Sequence, residues 1–204
     1  MAELDWIPLI TYIFIIIFTP GPNNITAALQ GVNYGFRKTV PFCLGVAAGV
    51  YTVHTLSALV SSALLKLIPR IEVYLRIGGA VYILWLAYHM IRSAYSFEEN
   101  GIKPLGFVNG FVLQYMNIKA LLFSITLFST FLQPISGEPL SIIAAIIILS
   151  FLAIASTSSY ALAGSGVRRF LDIPGMRKAI NIVFSLLLVY TAVEISGLLD
   201  ILRN

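Results

Sequence analysis

The stretch FTPGPNNITAAL interrupts a long apolar run with two prolines, a glycine and two asparagines. Pro20 and Pro22 each lack a backbone N–H and clash with the preceding helical turn, and Gly21 between them adds backbone freedom. In hydrocarbon such a break persists only where it is buried in protein or lines a watery cavity. We therefore expect an interrupted helix near residues 19–23, at a functional position.

The break would create two helix ends with opposite chemistry. The helix that begins near Pro22 presents unpaired N–H groups, which suit a carboxylate. The carbonyls that end the preceding helix near Thr19 suit an ammonium or a proton carrier. Asn23 and Asn24 add amide donors and acceptors. Together these groups suit a zwitterion, such as a free amino acid.

A second polar interruption lies in the segment LQYMNIKALLF, residues 113–123. A lysine deep within an apolar span is costly and normally faces the protein interior or a cavity. Long apolar flanks place Lys119 too deep for easy snorkelling to an interface. Its ammonium could pair with a substrate carboxylate, hold backbone carbonyls or take part in proton coupling. Asn117 and Lys119 are therefore candidate binding residues.

Three further polar residues are weaker candidates. His54 could relay a proton or contact substrate, and a hydrogen-bonded structural histidine explains it equally well. Glu194 is a proton-coupling candidate or an interface residue, and Tyr160 is a candidate lining residue. With a single cysteine, Cys43, and two distant histidines, we expect no metal site and no cofactor.

The composition indicates the solvent for which the chain is built. Of its 204 residues 58% are hydrophobic and 11% charged, and the mean hydropathy is +0.90. Soluble domains are about 45–50% apolar and about 25% charged, so the lipid bilayer is the expected partner. The basic residues lie in short loops between apolar segments, which is typical of membrane topology and argues against nucleic-acid binding. The acidic N-terminus favours an uncleaved first span over a signal peptide.

Six segments are long and apolar enough to cross a membrane as helices. They are roughly 7–31, 39–65, 71–93, 105–132, 139–163 and 179–201. We therefore predict an all-α membrane protein with six transmembrane helices in one transporter domain over residues 1–204.

The distribution of lysine and arginine predicts the orientation. Loops after spans 1, 3 and 5 carry Arg37, Lys38, Arg92, Lys103, Arg168, Arg169, Arg177 and Lys178. The opposite side carries Lys66, Arg70, Arg76 and Arg203. Eight basic residues against four place both termini in the periplasm.

The polar interruptions occupy matching positions in two three-helix halves, about 1–95 and 103–204. This arrangement predicts an inverted repeat with the binding site at the interface of the halves. Small-residue spacings, Gly45 with Gly49 and Gly106 with Gly110, favour close helix packing within the chain and also leave a homodimer open.

These residues also carry a family resemblance. The Pro-Gly-Pro-Asn motif, the segment GVNYGFRK at 31–38 and the Asn-x-Lys-Ala segment resemble the LysE/RhtB family of amino-acid exporters over essentially the whole chain. Within the family, TPGPNNI with QYMNIKALLF is similar to the cysteine and O-acetylserine exporters. Many members have Asn-Pro-Lys where this chain has Ile118, which leaves open whether span 4 is broken.

The resemblance implies export of small neutral amino acids across the bacterial inner membrane, driven by proton exchange and working by alternating access. Alternatives are a passive channel for small solutes, or an exporter of threonine, homoserine or lysine. An enzyme is not expected, because a membrane redox enzyme would need paired cysteines or haem-spaced histidines.

Overall fold

The computed structural model describes residues 5–95, 103–168 and 174–196, and these residues form helices and short connections without a strand. Seven α-helices follow one another: α1 Trp6–Phe18, α2 Pro22–Tyr34, α3 Phe36–Tyr95, α4 Phe107–Met116, α5 Ile118–Thr126, α6 Pro139–Arg168 and α7 Pro174–Ser196. A π-helical turn, Leu127–Phe131, continues α5. A 3₁₀ turn, Gln133–Ile135, precedes α6. The all-helical prediction is confirmed for this part of the chain.

Three stretches within the described residues are long and apolar enough to cross a membrane alone, Phe36–Leu59, Pro139–Val167 and Ala179–Ser196. Two bent helix pairs qualify when each is taken together, α1 with α2 and α4 with the helix that runs to Phe131. The count is therefore three, or up to five, and the predicted six spans are not reproduced. The end of the predicted span 179–201 lies outside the described residues.

The difference arises at the predicted spans 39–65 and 71–93, which the structure joins in the single helix α3. The predicted loop between them is wrong at the level of backbone structure. The sequence predicts two spans here because each apolar segment is long enough for one membrane crossing, and Lys66 and Arg70 lie between the two segments. Charged residues lower hydropathy, but lysine and arginine are good helix formers, so a helix can continue through them.

The axis of α3 nevertheless reverses its direction. A Cβ on Gly49 would lie 2.7 Å from Gln114 Cβ, and a Cβ on Gly79 would lie 2.2 Å from the Met116 carbonyl oxygen. On a straight helix Gly49 and Gly79 would be about 45 Å apart, whereas Gln114 and Met116 lie within about 7 Å of each other. Between Gly49 and Gly79 the helix must therefore bend back, so that both of its arms pack against α4.

Glycines bring several helices into backbone contact. A Cβ on Gly31 would lie 2.2 Å from the Ala161 carbonyl oxygen, and one on Gly164 would lie 2.0 Å from the Ala28 carbonyl oxygen. This pair joins α2 to α6 reciprocally. The predicted motifs act in the same way, because Gly45 and Gly110 abut the backbone of Phe107 and Phe42.

Two other glycines complete the predicted motifs. Gly49 lies against Gln114, as described for the bend of α3, whereas nothing lies within 4 Å of a Cβ on Gly106. Three of the four predicted glycines thus serve packing within the chain.

We expect Gly164→Ala to lower the thermal unfolding temperature in detergent, because its Cβ would enter the space of the Ala28 carbonyl oxygen. Overpacking of this kind typically costs about 1–3 kcal/mol. Gly166→Ala is the matched control on the same helix, since nothing lies within 4 Å of its Cβ. Equal unfolding temperatures for the two variants would contradict the proposed contact between α2 and α6.

Candidate functional site

The first broken span is positioned by Pro-Gly-Pro. Helix α1 ends at Phe18 and α2 begins at Pro22, with a bend of 43° between them. Gly21 is extended (φ −158°, ψ −179°), and Pro22 takes the first helical position, where no N–H is needed. The predicted interruption near residues 19–23 is confirmed.

The carbonyl end of this break is satisfied by side chains. Asn24 Nδ2 donates to the carbonyl oxygens of Ile17 (3.0 Å) and Thr19 (3.2 Å). Ser156 Oγ donates to the Ile17 carbonyl oxygen at 2.9 Å, and its oxygen lies 3.3 Å from Asn24 Oδ1. The Asn24 side chain, 5% exposed, therefore holds the two helices of the broken span together.

Tyr160 acts at the same place. Its hydroxyl donates to the Phe18 carbonyl oxygen at 2.9 Å, and it does not line the cavity described below. The carbonyl oxygens that the sequence analysis considered as partners of an ammonium thus already accept hydrogen bonds from side chains of α2 and α6.

The second span is broken as well, although it has no proline. Helix α4 ends and α5 begins at Asn117, with a bend of 66°. Asn117 has extended backbone angles (φ −92°, ψ 93°), and its Oδ1 accepts from the Ala120 N–H at 3.4 Å. Asparagine at an N-cap replaces a missing backbone acceptor, which lets a helix start without proline. Span 4 is therefore broken even though this chain has Ile118 where many family members have proline.

Both breaks leave helix N-termini with free donors. In α2 the first helical hydrogen bond is donated by Ile25 N–H to the Gly21 carbonyl oxygen at 2.8 Å. In α5 the corresponding bond runs from Leu121 N–H to the Asn117 carbonyl oxygen at 3.0 Å. The Ala120 N–H donates to the same oxygen at 2.9 Å. Helical geometry leaves the earlier amides, those of Asn23 and Asn24 in α2 and of Ile118 and Lys119 in α5, unpaired within the helix and gives each N-terminus a partial positive charge.

These two helix starts border one cavity of about 70 Å³. Of the predicted site residues it is lined by Gly21, Pro22, Asn23, Asn24, His54, Asn117 and Lys119. A Cβ on Gly21 would lie 3.9 Å from Lys119 Nζ, so the half-buried ammonium lies beside the break of the other span. The cavity therefore joins both breaks and the lysine, and it favours an anionic group.

A wider cavity of about 640 Å³ adjoins the first. The two share Thr19, Gly21, Pro22 and Lys119 among their lining residues. Pro20 and the exposed Glu194, which the small cavity lacks, line this wider one. Apart from Tyr160, which lines neither cavity, the predicted site residues are thus divided between two connected cavities.

Gln114 is a site residue that the sequence analysis missed. It is 2% exposed, lines the small cavity and accepts a 2.9 Å hydrogen bond at Oε1 from Asn23 Nδ2. The signal was its spacing, since Gln114 precedes Asn117 by three residues and helical residues three apart share a face.

His54 is buried at the side of the small cavity, with 1% of its surface exposed. Its Nδ1 lies 3.0 Å from Ser124 Oγ, and the imidazole packs against the rings of Phe123 (centroids 5.8 Å) and Phe128 (5.6 Å). Nε2 has no hydrogen-bond partner in the described part of the chain. The histidine is thus both structurally bonded and adjacent to the cavity.

Comparisons with known proteins identify the family to which the chain is similar. The family model described as LysE type translocator matches residues 14–196. A cysteine/O-acetylserine efflux protein of Salmonella typhimurium is 37% identical over 185 residues, which cover 91% of this chain and 94% of the relative. Proteins of that name from Escherichia coli K12 and Klebsiella pneumoniae are 34% and 33% identical over the same shares. No solved structure matches.

We expect Ile118→Pro to preserve the fold, because Ile118 is the first residue of α5 and Asn117 already has the extended conformation that precedes proline. Ile118→Ala is the matched control for the lost burial of this side chain, which is 6% exposed. Ala120→Pro should be far more destabilising, since the Ala120 N–H donates to the Asn117 carbonyl oxygen at 2.9 Å. Thermal unfolding in detergent measures all three. An Ile118→Pro protein clearly less stable than Ile118→Ala would show that the break needs the residue-118 amide.

Proposed function

This chain belongs to the LysE-type translocator family and is a multi-pass membrane transporter rather than an enzyme, and on that premise we propose that it exports small neutral amino acids across the bacterial inner membrane. Cysteine and O-acetylserine are the first substrates to test, because relatives at 33–37% identity are named for their efflux. Threonine, homoserine and lysine complete the substrate panel.

The observation that carries the proposal is the convergence of two helix starts and a lysine on one cavity. The unpaired amides at the start of α2 and of α5 point donors toward a carboxylate, and Lys119 adds a full positive charge. Asn117 shapes the α5 end of the pocket by capping that helix. An α-amino acid is the common small metabolite that offers such a carboxylate beside an ammonium.

The two connected cavities suggest which part of the substrate each of them holds. The small cavity is narrow and polar where the helices start, so it fits the charged head group. The wider cavity opens from the same residues and has room for a variable side chain. Glu194 in its wall is a candidate partner for a cationic group during transport, and Lys119, His54 and Glu194 are the candidates for proton coupling.

We place the site at the interface of two inverted three-helix halves. In this arrangement α1 with α2 is one crossing, the two arms of α3 are two more, α4 with α5 is the fourth, and α6 and α7 complete six. The reversal of α3 against α4 and the two mid-span breaks support it. The excess of lysine and arginine after the first, third and fifth crossings puts both termini in the periplasm. Alternating access would then move one half against the other around the site.

Purified protein in liposomes should move cysteine or O-acetylserine, and an imposed pH gradient should accelerate the flux. Proton exchange couples the gradient to substrate movement, whereas a passive channel would conduct equally without it. The measurement is labelled substrate flux across the full panel, with protein-free liposomes as the control. Absence of flux for every amino acid under both conditions would refute the exporter.

Lys119→Ala should abolish transport while membrane insertion is retained, because the cavity loses the full charge that faces the substrate carboxylate. Lys38→Ala is the matched control, since Lys38 is an exposed lysine outside both cavities. Flux in liposomes, at equal amounts of reconstituted protein, measures the difference. If Lys119→Ala transports as well as Lys38→Ala, the lysine has a structural role only.

A further inference from the structure

Two side chains that line the small cavity, Asn23 and His54, each have a buried polar atom without a hydrogen-bond partner in the described part of the chain, Oδ1 and Nε2 respectively. A buried polar atom without a partner costs about 1–3 kcal/mol, so such atoms are expected where a ligand supplies the missing bond. The other partnerless atoms of this kind in the described residues belong to side chains that do not line the cavity.

The direction of the hydrogen bond between Ser124 and Ser57 decides the tautomer of His54. Ser124 Oγ donates to Ser57 Oγ at 2.9 Å, and a serine hydroxyl has only one proton to give. With Ser124 as the donor to Ser57, its oxygen accepts at the 3.0 Å contact with His54 Nδ1, and the imidazole proton lies on Nδ1; with Ser57 as the donor, Ser124 would donate to Nδ1 instead. All three side chains are at most 2% exposed, and an unpaired imidazolium would be costly there. In the first of these arrangements, Nε2 is left as a hydrogen-bond acceptor.

The free atom of Asn23 is an acceptor as well. Its amide nitrogen donates to Gln114 Oε1 at 2.9 Å, and in this orientation of the two amides Oδ1 has no partner. The small cavity therefore has donors where α2 and α5 begin, and two acceptors at Asn23 and His54. A ligand that fits both must bring an anion for the first side and an N–H donor for the second.

We propose that Asn23 Oδ1 and His54 Nε2 bind the ammonium of the substrate, and that Ser124 and Ser57 are positioning residues that hold His54 in the accepting tautomer. This inference rests on the proposed function and adds the orientation of the substrate, with its carboxylate toward the helix starts and Lys119. It makes the free amine a requirement for recognition. Gln114 is the corresponding positioning residue for Asn23.

The first experiment tests the requirement for the amine in wild-type protein. Labelled cysteine flux into liposomes is measured under reducing conditions against unlabelled cysteine, N-acetylcysteine or 3-mercaptopropionate. The last two keep the carboxylate and the thiol but lack a free ammonium. We expect cysteine to compete at least tenfold more strongly than either analogue. Equal competition would overturn the inference while the exporter itself stands.

The second experiment separates positioning from packing. Ser124→Ala frees His54 to take the other tautomer, so we expect the KM for cysteine to rise about tenfold with little change in the maximal rate. His54→Gln places an amide oxygen near the position of Nε2 and should keep the KM within a few-fold, whereas His54→Leu should raise it at least tenfold.

The double variant His54→Gln/Ser124→Ala decides between the two roles, because a glutamine has no tautomer for Ser124 to fix. We expect no further rise in KM over His54→Gln alone. An equal tenfold effect of Ser124→Ala in both backgrounds would show a packing role and overturn the inference. If wild-type protein transports no amino acid of the panel, the proposed function fails and this inference with it; if it transports another amino acid instead of cysteine, the same variants are measured with that substrate and its N-acetyl derivative.

Discussion

Inside a bilayer every backbone N–H and C=O needs a partner, and this requirement determines what a broken helix can do. At the first break, the carbonyl groups that end α1 and the amides that begin α2 differ in whether the protein supplies a partner. The carbonyls of Ile17 and Thr19 receive hydrogen bonds from Asn24, and Tyr160 bonds that of Phe18, so the end of α1 is closed by protein. The amides that begin α2 have no such side-chain acceptors among these contacts. A break that is closed at its carbonyl end and open at its amide end is selective for anions.

Backbone contacts through glycine keep this open end in place. Gly31 and Gly164 bring α2 against α6, and Gly45 and Gly110 do the same for α3 and α4. Since glycine has no side chain at these crossings, the helices are held by close backbone packing, which supplies much of the attraction between helices in lipid. The second halves, α2 and α5, can then begin at a fixed position within the cavity.

Local covalent chemistry explains which features could be predicted from the sequence. The first break follows from proline, whose missing N–H acts in any context, and it was predicted to the residue range. The second break depends on how the Asn117 side chain folds back onto Ala120, which the sequence does not specify. Gln114 was missed because a single amide in an apolar segment is ambiguous without its partner. At Lys66 the prediction was wrong only about the backbone, because α3 continues as a helix through this position and reverses its direction without a loop.

Electrostatics link the two breaks. The starts of α2 and α5 each carry a partial charge of roughly +0.5, and the Lys119 ammonium lies beside them. Three positive groups around a narrow cavity repel one another when it is empty, and burial limits the screening by water. In the proposed function, a bound carboxylate would offset this repulsion. Because α2 and α5 belong to different broken spans, the substrate would then bind one arrangement of the spans better than another. A substrate-driven conformational change requires such a difference in affinity.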